Sequence, residues 1–394
     1  MNRMPVWAIA LVAVLAVFTC GCAARSGPSA ALANRNPAIH RPASASDPWP
    51  PSLATSLGGR TSWATVPMGA ASGPNRFWQL FALSSIGARW SLVTPPDIAT
   101  NGAIILAGQG GHSLVTGIRP SLYLTYSPVS STHDGGTKWT TSPPVLAGLA
   151  DRPDALAAAP DGRLLALDQD GAAHLSGRNG SWDRLATEQS LAASPAARIC
   201  ALTSLTAIAF SPAGTPLLGG NCARAGTPGI FSYGRNSWHL TKLALPTSLA
   251  DERVTVIRLT RADTYSVALL RAGSGTAATM LAAWTRDGRK WQLSAPFELH
   301  DATVLSVSFG RRGAVAATLS GRRGEILLGP DGTWQPLPVL PPGSTVTLAL
   351  PAPGITNALA ASGSTLTVWR ERSTPTAWTK TQVIRVPIQY GSSS

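Results

Sequence analysis

The feature of this sequence that most constrains its fold is a short motif that recurs at a nearly constant spacing. In most copies a turn containing glycine, asparagine or aspartate leads into a tryptophan. The motif ends at seven positions: Trp90, Trp139, Trp182, Trp238, Trp291, Trp334 and Trp378. These tryptophans are 49, 43, 56, 53, 43 and 44 residues apart. The chain is therefore predicted to repeat one four-stranded antiparallel unit of roughly 40 to 50 residues.

The clearest unit lies between residues 154 and 187. Four short apolar runs in it are separated by turns: Ala155–Ala159, Leu164–Leu167, Ala172–Leu175 and Trp182–Leu185. Gly162 lies in the first turn, and glycines take the same place in three later units, at positions 214, 313 and 354. The runs are continuous rather than alternating, which is typical of sheets packed on both faces. A radial arrangement of such sheets is a β-propeller.

The two ends of the repeat predict how the ring closes. Residues 60–96 contain only three candidate strands, whereas residues 383–390 form one further strand with no unit of their own. If this strand becomes the innermost strand of the first unit, no sheet edge stays open. The sequence thus predicts an all-β, seven-bladed β-propeller closed by a C-terminal strand that joins the N-terminal blade, with six blades as the alternative.

The N-terminus predicts export. Arg3 precedes a 13-residue apolar run, Val6–Phe18, which is too short to span a bilayer but suits a signal peptide. The run ends near Cys20 and Cys22, and a cysteine after a small residue resembles the bacterial lipobox, which implies lipid attachment. We expect attachment at Cys22, which follows Gly21, with Cys20 as the alternative. An ordinary secretory signal cleaved near Ala24 stays open.

Composition divides the chain into three predicted parts. Residues 1–22 are the lipoprotein signal peptide and lipobox. Residues 23–59 are rich in alanine, serine and proline without apolar periodicity, so we expect a tether. Residues 60–394 are predicted to be a single propeller domain. Cys200 and Cys222, outside the cytoplasm and flanking a predicted hairpin, are expected to form a disulfide.

The formal charge of +13 does not predict a nucleic-acid partner. Of 32 basic residues only four are lysine, and most arginines are scattered singly through turns. Two arginine doublets, at residues 311–312 and 322–323, fall in turns on opposite faces of a propeller, so we expect that they do not converge. A nucleic-acid surface would instead need a continuous basic stripe along a phosphate backbone. We expect no nucleic acid, and contact with the membrane only through the lipid.

Two copies of the motif carry a resemblance to a known family. Thr132–Trp139 matches the Asp-box pattern, and Thr285–Trp291 is a copy one residue shorter. The chain therefore resembles the Asp-box (BNR, sialidase-like) propellers, and looks like the secreted lipoproteins of this kind in GC-rich bacteria such as actinobacteria. In that family the motif supports the fold and carries no activity. The resemblance implies structural roles for Asp134, Trp139, Asp287 and Trp291.

No catalytic set can be identified in the sequence. It lacks the early Arg-Ile-Pro motif of sialidases, a Gly-x-Ser-x-Gly elbow, and a pair of histidines at metal-binding spacing. We expect no metal and no cofactor. Residues 102–145 form the least regular unit, and irregular loops often carry recognition, so His112, Arg119 and Tyr126 are the candidate binding residues.

These observations favour binding over catalysis. We expect a monomeric, lipid-anchored propeller that binds an extracellular protein or glycan. The alternative is a hydrolase or lyase of sialidase-like fold that acts on a glycan. Fold alone does not separate the two.

Overall fold

The computed structural model describes residues 52–56, 60–69, 76–84, 89–96, 103–119, 125–177, 180–371 and 377–387. This part of the chain is almost entirely antiparallel β-sheet, with 29 strands and two short α-helices. The signal peptide, Cys20, Cys22 and most of the predicted tether lie outside the described residues.

Consecutive strands pair into units, which we number along the chain. Unit 1 contains β1 (Ser52–Ser56), β2 (Ser62–Gly69), β3 (Arg76–Leu83) and β4 (Ser91–Leu92). Unit 2 contains β5 (Ile104–Gly110), β6 (Ser113–Ile118), β7 (Ser127–Thr132) and β8 (Thr140–Val145). Unit 3 contains β9 (Leu156–Ala158), β10 (Leu164–Leu167), β11 (Ala172–Ser176) and β12 (Trp182–Thr187). Unit 4 contains β13 (Leu202–Phe210), β14 (Pro216–Cys222), β15 (Gly229–Gly234) and β16 (Ser237–Leu240).

The same pattern continues to the end of the described chain. Unit 5 contains β17 (Val254–Ala262), β18 (Tyr265–Ala272), β19 (Thr279–Thr285), β20 (Gln292–Leu293) and β21 (Phe297–Glu298). Unit 6 contains β22 (Val304–Phe309), β23 (Val315–Leu319), β24 (Arg323–Leu327) and β25 (Trp334–Pro336). Unit 7 contains β26 (Thr345–Ala352), β27 (Ile355–Ser362), β28 (Thr365–Glu371) and β29 (Trp378–Arg385). In unit 5 the fourth position is shared, since β20 and β21 both pair with β19.

The helical segments are short and lie in turns and links between strands. The two α-helices, α1 (Glu188–Ala192) and α2 (Pro195–Cys200), connect units 3 and 4. Thr187 and Ser194 cap them, because each side chain accepts a hydrogen bond from a backbone N–H in the first turn. Four 3₁₀ turns complete the inventory: Thr247–Leu249, Gly275–Ala277, Arg311–Gly313 and Ser320–Arg322.

Antiparallel pairing gives the units two distinct ends. The turns from first to second strand and from third to fourth strand lie at one end, which we call the turn end. The turns from second to third strand and the connections between units lie at the other, the link end. Hydrogen bonds join turn ends of different units, for example Arg60 N–H to Gly111 O at 2.9 Å and Arg163 Nη2 to Gly214 O at 3.2 Å.

The predicted closure by a C-terminal strand is wrong in the described residues. Val383 and Arg385 belong to β29 and pair with Thr367 and Thr365 of the same unit. The position beside β2 is taken by β1, which comes from the segment expected to be a tether. β1 also pairs in parallel with β22 of unit 6. The first unit is therefore completed from its own N-terminal side, and residues 388–390 lie outside the described part.

Units 1 and 7 are joined by side chains and by one bridge. The Gln382 amide accepts a hydrogen bond from Trp90 N–H at 2.9 Å and donates one to Trp90 O at 2.8 Å. Gly69 and Gly363 form an isolated antiparallel bridge. Apolar side chains of both units, including Met68 and Leu359, are buried in one cluster. The first and last units thus pack directly against each other.

Neighbouring units pack closely because many of their facing residues are small. Alanines fill much of the buried surface, for instance in β19 and β23. Gly313 has no room for a side chain: it has a φ of +75°, and a Cβ placed there would lie 2.6 Å from the Trp284 ring. The Trp284 indole N–H donates to Gly313 O at 2.7 Å, so the same contact fixes unit 5 against unit 6.

Candidate ligand-binding cleft

A buried ion pair fills the space between inner strands of several units. Arg258 of β17 is fully buried, and its Nε and Nη2 donate to the two carboxylate oxygens of Asp154, each at 2.7 Å. Asp154 Oδ2 also accepts from Leu259 N–H at 2.8 Å, while Arg258 Nη1 donates to Val307 O of β22 at 3.1 Å. Because Asp154 precedes β9, the pair ties units 3, 5 and 6 together.

A second arginine crosses between inner strands nearer the turn end. Arg261 Nη2 donates to Gly108 O at 3.3 Å and Gln109 O at 3.1 Å, joining β17 to β5. Burial lowers the pKa of Arg261. These contacts, with β1 paired to β22, fill space between the inner strands of units 1, 2, 5 and 6.

The three predicted binding residues do not line one site. His112 lies in the first turn of unit 2, at the turn end, and its Nδ1 lies 2.7 Å from Thr61 Oγ1. Arg119 and Tyr126 lie at the link end of the same unit, beyond β6 and before β7. Arg119 is paired with Asp151, and Tyr126 is exposed. The length of β6 separates His112 from the other two, and a binding role for any of them stays a prediction.

The aspartate of the first motif accepts three hydrogen bonds within its own turn. Asp134 Oδ1 accepts from the backbone N–H of Lys138 at 2.9 Å, from that of Thr137 at 3.0 Å, and from Thr132 Oγ1 at 2.9 Å. The hydrogen bond from Lys138 N–H is the main cause of the lowered pKa of Asp134. Trp139 lies half-buried, and its indole N–H donates to Val93 O at 3.0 Å. Asp134 thus closes its own turn, and Trp139 ties that turn to unit 1.

The second motif repeats this geometry and forms one wall of a cleft. Asp287 Oδ1 accepts from Arg289 N–H at 2.8 Å, from Lys290 N–H at 2.9 Å and from Thr285 Oγ1 at 3.0 Å. The hydrogen bond from Lys290 N–H is the largest cause of its lowered pKa. Trp291 packs against the core shared by units 4 and 5. The cleft beside this turn has a volume of about 660 Å³ and lies between units 4 and 5 at the turn end.

Three turns line the cleft. Its prominent side chains are those of Thr215, Tyr233, Arg235, His239, Asp287 and Arg289. Arg235 and Asn236 have φ values of 52° and 61°, as a two-residue hairpin turn requires. That turn places Tyr233 opposite Trp238, with ring centroids 4.9 Å apart. The half-buried Tyr233 ring is thus held by its neighbour, while Arg235 is exposed beside it.

The electrostatics of the cleft are positive. Arg235 and Arg289 come from different units and are both exposed, and neither forms an ion pair with another described residue. The nearby Arg286 stacks on Tyr265 at 4.9 Å and donates to its hydroxyl at 2.5 Å. Asp287 is the only carboxylate among the described lining residues, and its Oδ1 already accepts hydrogen bonds within its own turn. The arrangement offers free donors and positive charge to a ligand.

The carboxyl groups whose pKa is raised lie elsewhere. Burial raises the pKa of Glu325 in β24 and of Glu371 in β28, and neither lines the cleft. Within the described ranges no group of three or more His, Cys, Asp or Glu side chains could hold a metal ion. Paired carboxylates of the kind that glycosidases use are absent from the described lining of the cleft.

Two further expectations are settled by the structure. Cys200 and Cys222 form a disulfide, with Cα atoms 5.2 Å apart, that links the end of α2 to the end of β14. The basic doublets at residues 311–312 and 322–323 lie at opposite ends of β23, as predicted, so they do not converge. No helix in the described part of the chain is long and apolar enough to cross a membrane.

Comparisons with known proteins define the fold. No protein-family model and no curated protein sequence matches the chain. Among solved structures, a putative 6-phosphogluconolactonase from Bacteroides uniformis is 13% identical, with a TM-score of 0.53 over 84% of this chain and 98% of that one. A second from Bacteroides fragilis is 11% identical, with a TM-score of 0.51 over 82% and 95%. A Lactobacillus plantarum protein is 10% identical, with a TM-score of 0.51 over 83% and 97%. At such low identity the likeness shows fold alone, and that fold is of the β-propeller type.

Proposed function

We propose that this chain is a seven-bladed propeller, lipid-anchored at Cys22 on the outer face of the cell membrane, which acts as a non-enzymatic binding module. Its ligand would lie in the cleft between units 4 and 5. The observation that carries the proposal is that Arg235 and Arg289, from two different units, line one cleft, and that the only carboxylate among its described lining residues is already hydrogen-bonded. Such a site offers a ligand positive charge and a surface to pack against.

Asp287 is poorly suited to act as an acid or base. A general acid must hold a proton near neutral pH, whereas backbone donors lower the pKa of Asp287 and keep it ionised. Moving the carboxylate to reach a substrate would also break the turn that Arg289 N–H and Lys290 N–H close. The groups that remain are suited to holding a ligand.

The anchor is supported by the order of the N-terminal segments. The apolar run ending at Phe18, the Gly21–Cys22 pair and a proline-rich stretch come before β1. Residues 23–51 could extend to roughly 100 Å at about 3.3 to 3.6 Å per residue. A domain on such a tether can turn its cleft toward the cell envelope or away from it.

The anchor can be tested by labelling. Labelled fatty acid should tag the wild type and not the Cys22→Ser variant. If only the Cys20→Ser variant lost the tag, the attachment site would be Cys20 instead.

Binding and catalysis can be separated with the full-length protein in detergent. Wild type, the Arg235→Gln/Arg289→Gln variant and an Arg184→Gln/Arg311→Gln control are immobilised and incubated with material released from the cell surface. The control removes two exposed arginines outside the cleft. We expect wild type and control to retain the same material, the cleft variant to lose it, and the retained material to stay intact. Equal retention by all three would reject the cleft, and steady turnover of a glycan would favour the hydrolase or lyase.

A further inference from the structure

We infer that the cleft between units 4 and 5 binds a carbohydrate chain that carries negative groups, carboxylate or phosphate. This inference rests on the proposed binding function and specifies its ligand class. It joins two features of one surface: guanidinium groups from two different units and an aromatic ring, all lining the same cleft.

The anionic part follows from the charges. Arg235 belongs to the hairpin of unit 4 and Arg289 to the turn of unit 5, so a bound group would be approached from two sides. Guanidinium groups present paired N–H donors that match carboxylate and phosphate oxygens. The turn 286–290 also carries Arg286, which is held on Tyr265, and Lys290; neither lines the cleft, but both add positive charge beside it. An anion here would gain partners without displacing an existing ion pair.

The sugar part follows from Tyr233 and its surroundings. The ring is half-buried and fixed against Trp238, so it presents a preorganised apolar surface with a polar hydroxyl at its edge. The C–H face of a sugar ring packs on such a surface, while its hydroxyl groups need nearby hydrogen-bonding partners. Thr215, Ser232 and His239 line the same cleft and can supply them.

The size and openness of the cleft favour a chain over a small ion. A volume of about 660 Å³ lies within the roughly 300 to 1,000 Å³ of typical ligand pockets. Arg235, His239 and Arg289 are all exposed, so the cleft opens to solvent at the rim. A polymer can therefore rest part of its length there and continue on either side.

The test compares ligands that share a ring and differ in charge. Calorimetry with the full-length protein in detergent would use trigalacturonate against its methyl ester, and a mannose oligomer with a terminal 6-phosphate against the same oligomer without it. We expect at least one charged ligand to bind at least tenfold more tightly than its neutral counterpart. Arg235→Gln and Arg289→Gln should each weaken that binding about tenfold, which is about 1.4 kcal/mol. Tyr233→Ala should weaken charged and neutral forms by the same factor.

Controls separate this inference from the proposed function. The Arg184→Gln/Arg311→Gln variant should bind as wild type does, and all variants should keep the wild-type melting temperature to within about 2 °C. Tighter binding of the carboxylate ligand or of the phosphate ligand would identify which anionic group the natural carbohydrate carries. If charged and neutral forms bind equally, or if neither binds while cell-surface material is still lost in the cleft variant, the ligand class is wrong and the binding function stands. If no ligand binds and no cell-surface material depends on the cleft, both are wrong.

Discussion

The buried pair between Asp154 and Arg258 makes a strong prediction about stability. The Asp154→Asn substitution removes the charge that Arg258 needs while keeping the size of the side chain. Arg258 is fully buried and makes two hydrogen bonds of 2.7 Å to that carboxylate. Removing one partner of a buried pair costs about 3 to 5 kcal/mol, because an uncompensated charge is left behind.

The cost can be converted into a melting temperature. At about 2.1 cal/mol/K per residue, a domain of about 300 residues unfolds with an entropy of roughly 0.6 kcal/mol/K. Asp154→Asn should therefore lower the melting temperature by about 5 to 8 °C in scanning calorimetry. Asp161→Asn is the control, because Asp161 forms a 2.8 Å pair with Arg163 in which both side chains are well exposed. That change should cost about 1 kcal/mol or less.

The double substitution Asp154→Leu/Arg258→Met tests the cause of the loss. Apolar side chains of similar volume remove both charges, so part of the stability should return relative to Asp154→Asn. If Asp154→Asn melts within 1 °C of wild type, the pair does not hold units 3, 5 and 6 together and our reasoning about the centre of the molecule fails.

Three further predictions follow from other contacts. Replacing Cys200 and Cys222 by serine opens a loop of about 20 residues and should lower the free energy of unfolding by about 3 kcal/mol, checked by urea titration beside a non-reduced peptide digest of the wild type. Gln382→Leu removes two hydrogen bonds to Trp90 and should cost about 1 to 3 kcal/mol in the same titration; an unchanged midpoint would mean that units 1 and 7 are held by other contacts. The pKa values of Asp134 and Asp287 are lowered in the folded protein, so their stabilisation is present at neutral pH and is lost as pH falls through the lowered values. Asp134→Asn/Asp287→Asn should be less stable than wild type at pH 7 and lose less of its stability below about pH 4; parallel pH profiles would contradict this.

The repeat was predictable because its signal is local. Turn residues and a tryptophan recur at a nearly constant spacing, so most of the four-stranded units could be predicted, and the hairpin between Cys200 and Cys222 predicted their disulfide. The structural roles of Asp134 and Asp287 were implied by the family resemblance and not by the spacing. The closure of the first unit could not be predicted, because it depends on which of two strands pairs with β2. Residues 383–385 already have partners in unit 7, and a serine- and alanine-containing stretch, Ser52–Ser56, fills the inner position.

The cleft and the central ion pair were missed for one common reason. Asp154 and Arg258 are 104 residues apart, and each alone looks like an ordinary polar residue. Arg235 and Arg289 likewise lie in separate units, and only the packing of unit 4 against unit 5 brings their turns to one surface. The one available signal was that Arg235 and Arg289 stand where the copy before Trp182 has Asn179 and Gly180.

The most direct test of the central claim is photo-cross-linking on intact cells. A photoreactive amino acid replaces Ala213, an exposed residue of the cleft lining, in one strain and Arg184, exposed but outside the cleft, in another. Cells are irradiated, and the protein is recovered and its adducts identified by mass spectrometry. We predict a defined adduct at position 213, reduced when Arg235→Gln/Arg289→Gln is added, and none of the same kind at position 184. The same adducts at both positions, or none at 213, would contradict the proposal that this cleft is the binding site.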